Sequence, residues 1–366
     1  MVRHTLLWML VVGLAGCEVA EAILESVAEN SAPPPSLTIP ADQSAGDVAP
    51  RIQAASASGT GQLTVCSFNI QFLGNSRERD DRALAGVVAP YDIVVVQELV
   101  SPPFAGQFPD GTSLKPDAES AEFFAEMSSL GFSYVMSEED TGTSDKIHRN
   151  GSSTEWWVVF YKPGRVSVAS DLPSGYLAAD RSNHEHFERV PYAFGFRTPD
   201  ESLDFVLISV HLKPGAGPRE RARRKEELAA IAAWIDAHDQ AEHDFIILGD
   251  MNIENASELT SATPPGFASL NDECRPTNTN IRGPKPYDHV MFNSTFTGEI
   301  DLAYDMTVVD LVNEMRDDWT LAAPYPGEPY NHNEFRKFYS DHHPVVFRLN
   351  IPTQDDDAPV RVAGGS

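Results

Sequence analysis

Two short segments carry an unusual density of residues able to do chemistry. Gly249-Asp250-Met251-Asn252 follows the apolar run Phe245-Ile-Ile-Leu248, and Ser340-Asp341-His342-His343-Pro344 precedes Val345-Val-Phe347. The same juxtaposition of a β-branched or aromatic run with a polar residue recurs along the chain. Residues 63–68 lead into Asn69, 91–96 into Gln97 and Glu98, and 205–210 into His211. In mirror image, Glu155 precedes 156–161, Arg189 precedes 191–194 and Asp288 precedes 290–292. One polar residue at a strand end is simply the first solvated position, but eight ends populated by Asn, Glu, His, Asp and Arg form a set. It contains hard oxygen ligands for a divalent cation, two imidazoles that can carry protons near neutral pH, and a guanidinium able to grip two oxygens at once. Those are the parts needed to hydrolyse a phosphoester: a cation to neutralise phosphate, a base for water, and donors for the developing charge.

The runs that position these residues are apolar almost throughout, which predicts strands buried on both faces, as in two packed sheets with helices outside. Between antiparallel neighbours, the end of one strand and the start of the next share a rim, so both patterns converge on one edge. Helices are predicted around 81–88, around 118–130 and from 219 to about 237, where Leu228, Ile231 and Ile235 recur at helical spacing. In that last helix Glu220–Arg224 and Arg223–Glu227 are spaced for i,i+4 pairs on a solvated face.

The chain has 366 residues and a net charge of -27, so no bulk positive field draws it to nucleic acid or anionic lipid. An anionic substrate must be met locally. Three cysteines cannot build a disulfide framework; Cys66, inside the first strand, reads as a small buried hydrophobe, with Cys274 unlinked to it. Arg3, the apolar stretch 6–14 and Leu14-Ala15-Gly16-Cys17 read as a signal peptide (1–17) ending in a lipobox, with Cys17 the lipidated residue. Glu18 after it, rather than Asp, favours the bacterial outer membrane within an envelope-anchored or secreted destination. Residues 18–62, rich in Pro, Ala and Ser, read as a flexible tether, 63–350 as one domain, and 351–366 as a loose acidic tail.

The segments SFNIQFLG (67–74), YDIVVVQEL (91–99), EWWVVFYKP (155–163), FVLISVHLKP (205–214), ILGDMNI (247–253), YDHVMF (287–292) and SDHHPVVF (340–347) resemble, in order, the motif set of the endonuclease/exonuclease/phosphatase superfamily, and most closely its deoxyribonuclease I branch. The resemblance implies a four-layer α/β sandwich, two mixed β-sheets flanked by helices. It implies that Asn69, Glu98 and Asp341 form the principal metal cluster, and that Asp250 and Asn252 orient the attacking water and bind phosphate or a second metal. His211 and His342 become the paired catalytic histidines, with Glu155 and Asp288 as their respective carboxylates, and Arg189 a phosphate clamp. The cofactor implied is Mg²⁺ or Mn²⁺, with structural Ca²⁺ sites left open. His343 falls at a variable motif position, and His184, His186 and His332 match no motif; the first two of these are the pair that an ion would find together.

The expected function is therefore metal-dependent, sequence-nonspecific hydrolysis of DNA by a monomer, with no protein partner. Two departures from the deoxyribonuclease I pattern bear on this. The Arg and Tyr that enter the minor groove in that branch fall near Val100 and Ser153 here. Lys146, His148 and Arg149, or the cluster Arg219, Arg221, Arg223, Arg224 and Lys225, are the candidate replacements. The alternatives are a phosphoesterase acting on phospholipid headgroups or small phosphate esters, and a non-catalytic envelope lipoprotein that uses the fold for binding.

Overall fold

The computed structural model describes residues 61–143, 146–148 and 154–355. The proposed signal peptide, Cys17, Arg149, Ser153, most of the tether and all but the first residues of the tail lie outside them. Thirteen strands and six helices are present among the described residues: β1 (Gln62–Leu73), α1 (Asp81–Val88), β2 (Ile93–Leu99), α2 (Ala118–Ser129), β3 (Ser133–Met136), β4 (Trp156–Tyr161), β5 (Ser167–Val168), β6 (Gly175–Tyr176), β7 (Tyr192–Arg197), β8 (Asp204–His211), α3 (Pro218–Asp236), β9 (Phe245–Asp250), α4 (Ala256–Ala262), β10 (Phe267–Ser269), β11 (Asp288–Asn293), β12 (Thr307–Val308), α5 (Leu311–Asp318), α6 (His332–Phe338) and β13 (Val345–Asn350).

The first sheet has the order β12-β13-β1-β2-β4-β3 and the second β10-β11-β9-β8-β7-β5, with β6 also on β7. Both are mixed: β1–β2 and β8–β9 are parallel, their other long neighbours antiparallel. Period-two alternation explains why the runs are apolar on every residue. In β4, Trp157 and Val159 face the space between the sheets, while Trp156, Val158 and Phe160 face helices. In β8, Phe205 and Leu207 face inward and Val206, Ile208 and Val210 face the α3 side. Three apolar cores result, one between the sheets and one under each helical layer, giving the four layers of an α/β sandwich.

The C-terminal ends of β1, β2, β8 and β9 and the N-terminal ends of β4, β7, β11 and β13 meet on one rim. Two irregularities shape it. Strand β1 does not stop before Asn69, as its residue pattern predicts, but continues to Leu73 through a register shift between Asn69 and Leu73, matched in β2 by one between Val96 and Leu99. Gln71, Phe72 and Glu98 take positive φ (56°, 57° and 64°) inside these bulges, which re-aim side chains at the rim.

Candidate active site

Glu98 leaves β2 in that left-handed conformation with its backbone N–H donating to Glu155 Oε2 at 2.7 Å. Its Oε1 accepts from the Asn69 amide (3.0 Å) and its Oε2 from the backbone N–H of Phe72 (3.0 Å), so the two bulges fix each other. The Asn69 amide also donates to Asp250 Oδ2 at 3.2 Å, across from one sheet to the other. Asp250 ends β9 behind Gly249, whose φ is +138° and where an added Cβ would sit 2.1 Å from Val210 O. Only glycine lets β9 pass that close to β8, which explains the Gly of the Gly-Asp-x-Asn segment. Asn252 (φ 53°) donates its backbone N–H to Asp250 Oδ1 and its amide to Leu212 O.

Two histidine–carboxylate pairs flank Asp250. His211 Nδ1 lies 2.9 Å from Glu155 Oε1, and His342 Nδ1 lies 2.8 Å from Asp288 Oδ2. Their Nε2 atoms stand 3.5 and 3.6 Å from the same Asp250 Oδ2. Each pair joins a residue positioned by one sheet to a residue positioned by the other, so the core between the sheets sets both geometries. All four side chains are buried.

Burial lowers an imidazole, yet Asp288 and Asp250 outweigh it and hold His342 well above its ordinary value. At His211 burial and Arg189 push down, but Glu155 and Asp250 prevail and the value is raised. Burial pushes Glu98 and Asp250 up, with further carboxylates adding to it and the imidazoles opposing.

The donor set fits a hard divalent cation. Ligand atoms of Glu98, His211 and Asp250 lie within 4.8 Å of one another, as do those of Asp250, Asp288 and His342. Five carboxylates (Glu98, Glu155, Asp250, Asp288 and Asp341) converge against one guanidinium, an excess of buried negative charge that a cation would offset. Asp341 stands more exposed at the lip, 4.0 Å from Arg336 Nη1, and its charge acts on Glu98 and His342.

Residues 66–355 match the profile of the Endonuclease/Exonuclease/phosphatase family. The chain belongs to that family. Family members hydrolyse phosphate esters, in keeping with the rim's composition. Among relatives, human deoxyribonuclease gamma is 25% identical over a match covering 52% of this chain and 56% of that protein, so the chain spans little more than half of that relative's length. A deoxyribonuclease of Thioalkalivibrio sp. (strain K90mix) is 23% identical over 82% of this chain and 74% of its own. Among solved structures, an endonuclease/exonuclease/phosphatase family protein from Bacteroides thetaiotaomicron matches 80% of this chain and 96% of its own at 15% identity, with a TM-score of 0.49.

Several expected residues of this family member take other places. Arg189 does not reach openly into the site: its Nε lies 2.9 Å from Glu155 Oε1 and its Nη1 donates to His211 O at 3.4 Å, behind the first dyad. Arg224 is fully buried and pairs with Glu258, not Glu220, while also donating to the carbonyls of Lys213 and Gly215. Glu227 is likewise buried, accepting the backbone N–H groups of Glu188 (2.8 Å) and Lys213 (2.9 Å), and Arg223 pairs with Glu226. Within the solvated face expected there, Arg224 and Glu227 thus form a buried ionic strut, while Arg219, Arg221 and Lys225 stay exposed, Arg221 pairing with Glu254. His148 stacks on Phe108 between Asp110 and Glu139, and Val100 is buried. His343 accepts the N–H of Leu311 at the start of α5, and His184 accepts those of His186 and Phe187. Cys66 is buried, and neither it nor Cys274 is in a disulfide. Asp355, in the expected loose tail, accepts the N–H of Asp204.

The residue pattern assigned no role to Ser340, Thr277 or Arg79. Ser340 Oγ donates to Asn69 O (2.7 Å) and accepts from His342 N, and Thr277 Oγ1 accepts from Asp288 N. Arg79 donates to Ile70 O, Gln71 O and Tyr339 O and pairs with Glu119, tying the β1 bulge to the segment before Ser340. Ser340 has a signal, its place in Ser-Asp-His; Arg79 lies in a polar turn with none.

Proposed function

We infer that the chain is a metal-dependent, sequence-nonspecific deoxyribonuclease that cleaves by in-line attack of water. The observation that carries this is the convergence of both imidazole Nε2 atoms on Asp250 Oδ2, with each Nδ1 held by its own carboxylate. That arrangement fixes both tautomers and leaves each Nε2 to take or give a proton at a substrate between them. Glu98, Asn69 and Asp341, with Asp250, would hold Mg²⁺ or Mn²⁺, which supplies charge neutralisation for the phosphate when bound. One imidazole accepts the proton of the attacking water and the other protonates the leaving oxygen. Asp250 and Asn252 orient the water. Arg189 holds Glu155 in place and retains Nη2, unpartnered among the described residues, for a phosphate oxygen. The deoxyribonuclease names of two relatives support DNA as the substrate. The protein acts as a monomer, anchored to a bacterial envelope through lipidated Cys17.

The test is nicking of supercoiled plasmid by the purified protein in Mg²⁺ or Mn²⁺. Loss of nicking both in EDTA and in His342→Ala supports the reading; nicking that survives either sinks it. Incorporation of labelled palmitate, lost in Cys17→Ala, checks the anchor. One observation favours a second reading. Val100, at the position of a minor-groove wedge in the deoxyribonuclease I pattern, is buried and offers DNA nothing. A folded protein inactive on plasmid but active on phospholipid headgroups or small phosphate esters would select that reading.

A further inference from the structure

Arg79 follows the exposed Arg77 and Glu78 in the turn after β1, yet its own side chain is only 3% exposed. Its Nε lies 2.5 Å from Glu119 Oε1, its Nη1 donates to Ile70 O and to Tyr339 O (2.7 Å), and its Nη2 donates to Gln71 O. Glu119 in turn accepts the backbone N–H groups of Gly74 (2.7 Å) and Ser76 (2.9 Å) through Oε2. Burying a guanidinium is costly unless its donors are met, so the groups it meets show what the burial secures.

The carbonyls of Ile70 and Gln71 fall inside the irregular stretch of β1, where neither neighbouring strand pairs with them. Arg79 therefore completes the bulge that follows Asn69. Through the Phe72 N–H the same bulge holds Glu98 Oε2, and Leu73 O accepts the N–H of Val100, just beyond Glu98. Gly74 (φ 92°) brings the turn so close to that segment that an added Cβ would lie 2.8 Å from Ser101 O. Tyr339 belongs to a third segment, two residues before Asp341. One buried ion pair thus ties together the stretches of backbone that present Asn69, Glu98 and Asp341. Arg165 offers a comparison. Its Nε lies 3.1 Å from Asp92 Oδ1 and its Nη2 donates to Gln62 O, so it also joins a carboxylate and a carbonyl, but at the end of the sheet away from the rim.

We propose that Arg79 is a positioning residue for the divalent metal: it fixes the backbones of Asn69, Glu98 and Asp341 in one arrangement, so that the group stands ready for the ion. The proposal rests on reading those three residues as ion ligands and names what holds them. Asp341 acts on Glu98 as a like charge, so the two carboxylates tend apart. A fixed backbone keeps them together before the ion arrives, and affinity rises because binding need not gather them. Arg79 acts only through the backbone and through Glu119.

Arg79→Lys tests this, since lysine keeps a charge for Glu119 but lacks the planar fork that spans carbonyls of two segments. Binding of Mn²⁺ is measured directly, from the electron paramagnetic resonance signal of the free ion, for the parent, Arg79→Lys and, as a control, Arg165→Lys. Arg79→Lys should weaken Mn²⁺ binding about tenfold, and Arg165→Lys should leave it unchanged. On bis(p-nitrophenyl) phosphate, the Mg²⁺ concentration for half-maximal activity should likewise rise about tenfold in Arg79→Lys, with kcat at saturating Mg²⁺ near the parent's. The shape of the pH–rate profile should not change, because both dyads keep their carboxylates. Should Arg79→Lys fail to fold, Glu119→Gln serves in its place: it keeps an oxygen for the turn, loosens the guanidinium and should weaken Mn²⁺ binding severalfold. Unchanged Mn²⁺ binding in the variant that folds, or an equal loss in Arg165→Lys, overturns the proposal and leaves the metal reading intact. A parent that binds no Mn²⁺ overturns the metal reading, and this proposal with it.

Discussion

The two dyads reach the same Asp250 oxygen, but they are backed by opposite kinds of chemistry. Behind His211 the supports are mostly ionisable side chains: Glu155 is shared with Arg189 and with the Glu98 N–H, and beyond lie Glu227 and the Arg224–Glu258 pair bracing the loops of Glu188 and Lys213. Behind His342 the supports are neutral hydrogen bonds. Thr277 takes the Asp288 N–H, the Asn271 amide donates to Asp288 O at 3.2 Å, and Ser340 links His342 to Asn69. A buried ion depends on its partner, because removing one charge strands the other, whereas each neutral bond is worth about 1 kcal/mol net. One half of the site is therefore brittle and the other a sum of small terms.

The largest effect tests the difference at the dyads themselves. Each of Glu155→Gln and Asp288→Asn should lower kcat by ~10²–10⁴, the range for general acid–base groups. Only Glu155→Gln should also raise the Mg²⁺ concentration for half-maximal activity, about tenfold, because Glu155 also holds the bulge that aims Glu98. Metal titrations of both variants decide it. If the half-saturation moves equally in the two, the dyads are equivalent and the contrast is wrong.

Arg224→Ala leaves Glu258 buried without its guanidinium and frees the Lys213 and Gly215 carbonyls. A loss of about 3–5 kcal/mol in denaturant unfolding is expected. Asn271→Ala, on the neutral side, removes three side-chain hydrogen bonds, two donated to Arg275 O and Asp288 O and one accepted from Arg275 N, and should cost about 1–3 kcal/mol. A smaller loss for the arginine variant than for the asparagine one would reverse the comparison.

The two sides also respond to pH with opposite sign. Burial raises Glu227 from its ordinary 4.5 to about 7, so the folded state holds a proton that the unfolded state releases. Its contribution is complete below pH 4.5 and is lost as pH rises through 7. Next to Asp288 on the other side, burial lowers His289 from 6.5 to about 4, with Ser269 on its Nδ1. That contribution is complete above pH 6.5 and is lost as pH falls through 4. Each is worth about 3 kcal/mol, and between pH 4.5 and 6.5 the two slopes nearly cancel. The readout is the slope of unfolding free energy across that interval, compared with the parent's own slope, to which other buried carboxyls such as Asp81 also contribute. Relative to the parent, Glu227→Gln should make the slope more positive by about 1.4 kcal/mol per pH unit, and His289→Asn should make it more negative by a similar amount. The slope, not the level, is the readout, since either substitution also disturbs hydrogen bonds. Parallel slopes in the two variants would show that these groups do not differ in sign.

The neutral half was the more legible of the two. Asp288, His342 and Ser340 sit inside contiguous motifs next to strands whose apolar runs mark both faces as buried, so type and place coincide. In the charged half the motifs paired only Glu155 with His211, whose side chains lie 2.9 Å apart. Arg224 and Glu227 looked like members of a solvated helix face because charge is ordinarily outside. Yet Arg224, Leu228, Ile231 and Ile235 lie four, three and four residues apart on one helical stripe with Glu227 beside them, and that register placed both charges inward. What no residue pattern carried was the pair of bulges. A positive φ at Glu98 is a tertiary property, imposed when Glu155 takes its N–H and Phe72 takes its carboxylate.

The smallest effect is the sharpest check on additivity in the neutral half. Ser340 is fully buried and makes two bonds that cross the site, donating to Asn69 O and accepting from His342 N. Ser340→Ala removes both without leaving a charge stranded, so about 1–2 kcal/mol of stability should go. Activity should fall severalfold at most, because Asp288 still fixes the His342 ring. Combined with Thr277→Val, which takes the hydroxyl from the Asp288 N–H, the losses should add within about 0.5 kcal/mol if these bonds act independently. A coupling well above that would mean that Asp288 and Ser340 hold His342 as one cooperative network. The neutral half would then be as brittle as the charged one, and the contrast between the two dyads would reduce to the sign of their response to pH.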